Sequence, residues 1–159
     1  MASVAGTGVG VADGATTLLP IAPKGALPDE ATRAVHRAWA LHAANVRRAL
    51  GAGIWQGWDL HPAQLPARYG ALFSFFLERH AALALRLRTF LDRAAQASRV
   101  GQEFDDAATA EALLAFFRRG HACGAFDADD LAAASLGAAE LAQPLATIAR
   151  ARATAPSAR

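Results

Sequence analysis

Only two segments of this chain have the length and residue content of β-strands, and both lie in its N-terminal third. The first, Gly8-Val9-Gly10-Val11-Ala12, is an apolar run stopped by the Asp13-Gly14 turn signal. The second, Ile54-Trp55-Gln56-Gly57-Trp58-Asp59-Leu60, is short and aromatic and is closed by His61-Pro62. Gly57 would weaken a helix at that point. Between them the pattern is helical, so the order is strand, long helix, strand, as in a right-handed parallel crossover. Parallel strands normally lie in sheets covered on both faces, and a lone parallel pair has open edges. The sequence therefore reads as the end of a larger α/β sheet, predominantly helical as it stands.

The helices are marked by period and punctuation. Pro28-Asp29-Glu30 opens the first, with acidic residues at its positive end, and Gly51 and Gly53 end it after about Leu50. Its apolar positions are Val35, Trp39, Val46 and Leu50, with His42 and Ala43 filling the gap. From Pro66 a second helix of some thirty residues carries a stripe that includes Tyr69, Phe73, Phe76, His80, Leu87 and Leu91. Arg68, Glu78, Arg79, Arg86, Asp92 and Arg93 mostly face away from that stripe. Asp105 or Asp106 caps a third helix that buries Leu113, Leu114, Phe116 and Phe117 and stops near Gly124. Asp127 and Asp130 bracket a short last helix through about Leu136, and the tail beyond Gln143-Pro144 is expected to fray.

Composition excludes several classes. Hydrophobic residues make up 53% and charged residues 19%, too apolar for general disorder. The single cysteine, Cys123, rules out an internal disulfide and a cysteine zinc cage, and fits a reducing cytoplasm. Residues 1–23 carry one charge, Asp13, but are broken by Gly and Pro and lack a basic start, so no membrane partner or signal peptide is expected. The pI of 9.3 comes from a formal balance of only +2. Lys24 is the sole lysine, and the arginines are scattered in pairs rather than gathered in a block, so no nucleic-acid partner is expected.

The candidate chemistry lies at the strand ends, where α/β folds gather their ligands. Asp59 lies at the end of the second strand with His61 and Gln64 just after it, and Asp13 stands at the end of the first, so neighbouring strands would place them on one rim. The competing structural reading is that Asp59 and His61 cap the next helix and that Asp13-Gly14 is a plain turn. Alternation along the strand puts Asp59 and His61 on one side, with Trp58 and Leu60 buried on the other. His36 and His42 are six apart on a helix and cannot chelate one metal. His121 and Cys123 lack the partners of a zinc site.

The run Gly53-Ile54-Trp55-Gln56-Gly57-Trp58-Asp59-Leu60-His61-Pro62-Ala63-Gln64-Leu65 resembles the last strand of the HpcH/HpaI aldolase and citrate lyase beta-subunit superfamily. In that superfamily a Gly-rich approach leads into a strand ending in His-Pro-x-Gln. Ala12-Asp13-Gly14-Ala15-Thr16, the helical run Ala34 to His42 and the run Phe104 to Thr109 are similar to a bacterial aldolase-like branch of it, so the resemblance covers about residues 8–137. It implies a C-terminal fragment of a TIM (β/α)8 barrel, with the last two βα units in residues 8–100 and a helical C-terminal extension over 101–143. Residues 1–7 would be a disordered N-terminus and 144–159 a frayed tail.

The same resemblance implies a metal-dependent carbon–carbon lyase acting on small oxo acids or acyl-CoA thioesters, with Mg²⁺ stabilising an enolate in the complete enzyme. The family's metal-binding Glu and Asp and its substrate-binding Arg belong to earlier strands. Asp13, Asp59, His61 and Gln64 carry over as rim positions only, and this chain alone is expected to hold no metal and to be inactive. Its partner would be the N-terminal barrel portion or a neighbouring subunit of a homo-oligomer. The alternative is a non-catalytic helical interaction module.

Overall fold

The computed structural model describes residues 10–101 and 106–154. The expected disordered residues 1–7, the start of the first strand at Gly8-Val9, the alternative cap Asp105 and the last residues of the tail lie outside them. The chain divides into two compact units, Met1–Phe75 and Phe76–Arg159. Among the described residues no strand forms. The two expected strands meet at one isolated parallel bridge, Ala12 with Gln56. The Asp13 N–H donates to the Gln56 carbonyl at 2.8 Å. The direction of pairing is the expected one, but a ladder needs neighbouring strands and covered faces to stabilise it, and a two-stranded parallel pair has neither.

In unit 1, α1 (Pro28–Gly51) starts with Pro28 in its first turn, and Glu30 reaches back to accept from the Leu27 N–H at 3.3 Å. It ends through Gly53 at φ +77°, a left-handed conformation that glycine adopts without strain. The Ile54 N–H then closes onto the Ala49 carbonyl at 2.9 Å. The buried face of α1 is Ala38, His42, Val46, Ala49 and Leu50, so a histidine sits in the middle of an apolar stripe. After the extended segment, a single 3-10 turn, Pro62–Gln64, leads into α2 (Leu65–Arg99), 35 residues long. Trp58 and Leu60, expected on a buried strand face, are 60% and 51% exposed. Without a sheet there is no covering layer for that face.

Unit 2 is built on aromatic packing. The rings of Phe76, Phe116, Phe117 and Phe126 lie with centroids 5.0–5.7 Å apart. His80 packs edge-on against Phe126 and donates from Nε2 to the Asp130 carbonyl at 2.8 Å, the core role its place on the stripe suggests. Helix α3 (Ala107–Ala122) supplies Phe116 and Phe117. Asp106 is its cap by position but makes no side-chain capping bond. Gly124 at φ +80° turns the chain so that the N–H groups of Ala125 and Phe126 return to the Gly120 carbonyl at 2.9 and 3.1 Å.

Asp127 then caps α4 (Ala128–Ala133) as the sequence indicates. Its Oδ1 accepts from Asp129 and Asp130, and Asp130 returns a carboxylate oxygen to the Asp127 N–H. Of two further helices, α5 (Ala138–Leu141) lies in the expected helical extension, and α6 (Leu145–Thr154) is ordered structure where a frayed tail is expected. Glu111 on α3 accepts from the Leu145 N–H at 2.8 Å, and Arg118 donates to the Leu141 and Gln143 carbonyls at 2.6 Å each. With Ile148 fully buried, the segment is held by a hydrophobic anchor and by bonds to its otherwise orphaned backbone groups.

Candidate functional site

Asp13, Thr16, His42, Asn45, Asp59 and Arg68 line one cavity of about 290 Å³, between α1, the Asp13–Thr16 segment and the Gln56–Asp59 segment. His42 is its centre. Burying a polar ring in an apolar stripe is costly unless both nitrogens are bonded, and here both are. Nδ1 meets the Thr16 hydroxyl at 3.0 Å and Nε2 meets Asp59 Oδ1 at 2.8 Å. Asp59 is a carboxylate that only accepts, so Nε2 carries the proton. With the ring in its neutral form, Nδ1 accepts from Thr16, whose oxygen in turn accepts from the Asn45 amide at 2.9 Å. At the other end Arg68 Nε donates to Asp59 Oδ2 at 2.5 Å, and its Nη2 donates to the Trp58 carbonyl at 3.1 Å. The result is a directed chain, Asn45 to Thr16 to His42 to Asp59, closed by Arg68.

Gln64 supports this chain from behind. Its side chain is fully buried, donating to the Thr16 carbonyl at 2.8 Å and accepting from the Leu60 N–H at 2.8 Å. It pins the first rim segment to the second and does not line the cavity described above. His61 acts as cap of the 3-10 turn, its Nδ1 accepting from the Ala63 N–H at 3.1 Å. Of the four rim candidates, the structure therefore brings Asp13 and Asp59 to one cavity and places His61 and Gln64 outside it. Thr16, His42, Asn45 and Arg68 were not candidates. Arg68, expected to face away, instead turns back onto Asp59. The one sequence signal for His42 is that a histidine among Ala38, Val46 and Ala49 must find polar partners.

Gly57 has its reason here rather than in a strand. A Cβ added to it would lie 2.9 Å from Arg68 Nη1. Because Asp59 and the Trp58 carbonyl hold the guanidinium, the Gly57→Ala variant is expected to displace Arg68 and cost about 1–2 kcal/mol. A denaturant midpoint indistinguishable from the parent chain would show that Arg68 swings aside freely.

The donor set does not suit Mg²⁺. Among the described residues no group of three or more His, Cys, Asp or Glu could hold a metal ion. Both oxygens of Asp59 are engaged, one by a guanidinium that repels a cation, whereas Mg²⁺ needs near-octahedral oxygen ligation. Titration calorimetry of Mg²⁺ into the chain is expected to show no stoichiometric low-micromolar site; such a site would mean that Asp59 releases Arg68. Among the described residues, no helix is long and apolar enough to cross a membrane.

A family model for DUF6986, a domain of unknown function, matches residues 1–150, spanning the cavity and most of unit 2. No curated protein and no solved structure matches the chain. With nearly its whole length covered by that family model, the chain belongs to the DUF6986 family.

Proposed function

We propose that this chain supplies the closing two βα units of a TIM barrel of the HpcH/HpaI aldolase and citrate lyase beta-subunit kind. On this reading it works in a carbon–carbon lyase on oxo acids or acyl-CoA thioesters, together with a barrel portion that provides the metal ligands. The observation that carries the reading is the parallel bridge between Ala12 and Gln56. Parallel pairing requires a crossover connection, and here that connection contains α1, the arrangement of successive barrel units. The direction of pairing sends Asp13 and the Asp59–His61 segment out at the same end, the end at which barrels carry their chemistry.

The residues divide the work. The Thr16–His42–Asp59–Arg68 chain and Gln64 fix the two loop segments to each other. His61, with Nδ1 accepting from Ala63, keeps its proton on Nε2 and offers that N–H to an oxygen of the substrate. A donor aimed at an oxygen that gains charge contributes about 10²–10³ in turnover. In the complete barrel, His61→Ala is expected to lose that factor in kcat when compared at equal folded fraction, since loss of the cap on Ala63 also costs some stability.

The deciding experiment is to read the DNA immediately upstream of the coding region. About six further βα units, in frame or shifted, are expected there, since a barrel has eight. An unrelated neighbour overturns the reading in favour of a helical interaction module.

A further inference from the structure

Charge balance around the cavity leaves one group without a counterpart. Arg68 is neutralised by Asp59, and His42 and Thr16 are bonded to each other and to their other partners. The Asp13 backbone is held by Gln56, but among the described residues its carboxylate meets no cation and no donor. The same cavity is lined by Trp55 and Trp58, 39% and 60% exposed, and by the apolar side chains of Val46, Leu50 and Ile54, beside the already bonded His42 and Arg68. An unpaired carboxylate, indole rings and an apolar lining together match an organic ammonium ion. The carboxylate supplies the ion pair, the ring faces attract the cation, and the lining accepts its hydrocarbon part. A carboxylate ligand is repelled by Asp13, and a bare divalent ion gains nothing from the indoles or the lining. The volume of about 290 Å³ limits the guest to a small one.

We propose that the cavity of unit 1 binds a small organic monoammonium ion, held by Asp13 and by Trp55 and Trp58. This site goes beyond the lyase reading and stands or falls separately from it, because it is tested on the full chain alone, whatever the upstream DNA encodes.

The test is a titration with n-butylammonium chloride, read by tryptophan fluorescence and calorimetry, with n-butanol and sodium butyrate at matched ionic strength as comparisons. All three tryptophans, Trp39, Trp55 and Trp58, lie in unit 1, so the fluorescence reports on this unit. Saturable binding of butylammonium is expected, with Kd of about 1 mM or below and at least about tenfold preference over both comparisons. Asp13→Asn is expected to weaken it about tenfold or more. Trp58→Ala is expected to weaken it about threefold, the size of one partly exposed cation–π contact. Neither side chain is part of the bonded network, so far-UV circular dichroism of both variants should match the parent chain. The proposal is overturned by equal binding of butanol or butyrate, by undiminished binding to folded Asp13→Asn, or by no saturation up to about 10 mM in the folded parent chain.

Discussion

Replacing Gly120 with alanine is expected to destabilise unit 2 by about 3 kcal/mol, although the same change in an ordinary helix stabilises by about 1 kcal/mol. Gly120 lies in the last turn of α3, and an added Cβ would stand 2.3 Å from both Cδ2 and Cε2 of Phe126. The ring cannot move aside cheaply. It is 2% exposed, enclosed by Phe76, Phe116 and Phe117, and its own N–H is bonded back to the Gly120 carbonyl. Steric overlap of this size therefore outweighs helix propensity. Urea melts followed by far-UV circular dichroism decide the sign, and a neutral or raised midpoint would mean that the ring cluster repacks without penalty.

His42→Ala is expected to cost unit 1 a similar amount, about 3–4 kcal/mol. Two hydrogen bonds disappear, each worth about 1 kcal/mol, and a void replaces a ring that is 1% exposed. Asp59 keeps Arg68 but loses its other partner, and Thr16 loses its acceptor. Tryptophan fluorescence during denaturation isolates this unit. A loss below about 1 kcal/mol would show that the side-chain network is not what fastens the two rim segments. Trp58→Ala serves as the contrast. At 60% exposure it should change stability by about 0.5 kcal/mol or less, the reverse of what a buried strand face would give.

What the sequence made legible was local. The start of α1 is written in Pro28-Asp29-Glu30, and the cap of α4 in Asp127 and Asp130, because each signal acts within one turn. Features set by distant partners were not legible. The start of α6 is held by Glu111 and the segment just before it by Arg118, bonded to backbone groups 23–34 residues away, and alanine-rich sequence beyond Pro144 shows no sign of them. The strands were read correctly in their direction of pairing but not in their extent, since a ladder is fixed by neighbours that local sequence does not specify. In sequence His42 reads as filler in a stripe, yet its partners, 17 and 26 residues away, make it the hub of the candidate site. Asp13 and Asp59 were found from strand-end position alone. His61 and Gln64 came from the same argument, and their bonds are those of a cap and a brace.

The long reach of the contacts at Thr16 also fixes an order of assembly. Thr16 bonds to partners 26 and 48 residues away, while α1 and the turn at Pro62 close locally. Loop closure must be met before such distant contacts repay it, so the segment from Ala12 to Thr16 docks after its platform exists. The cavity is thus expected to be among the last parts of unit 1 to form and among the first to open. A guest needs the docked state, and its apparent affinity is scaled by the fraction of molecules in which the segment is seated. Occupancy should then register at the backbone as slowed amide exchange at Asp13, whose N–H is the hydrogen bond that seats the segment on Gln56.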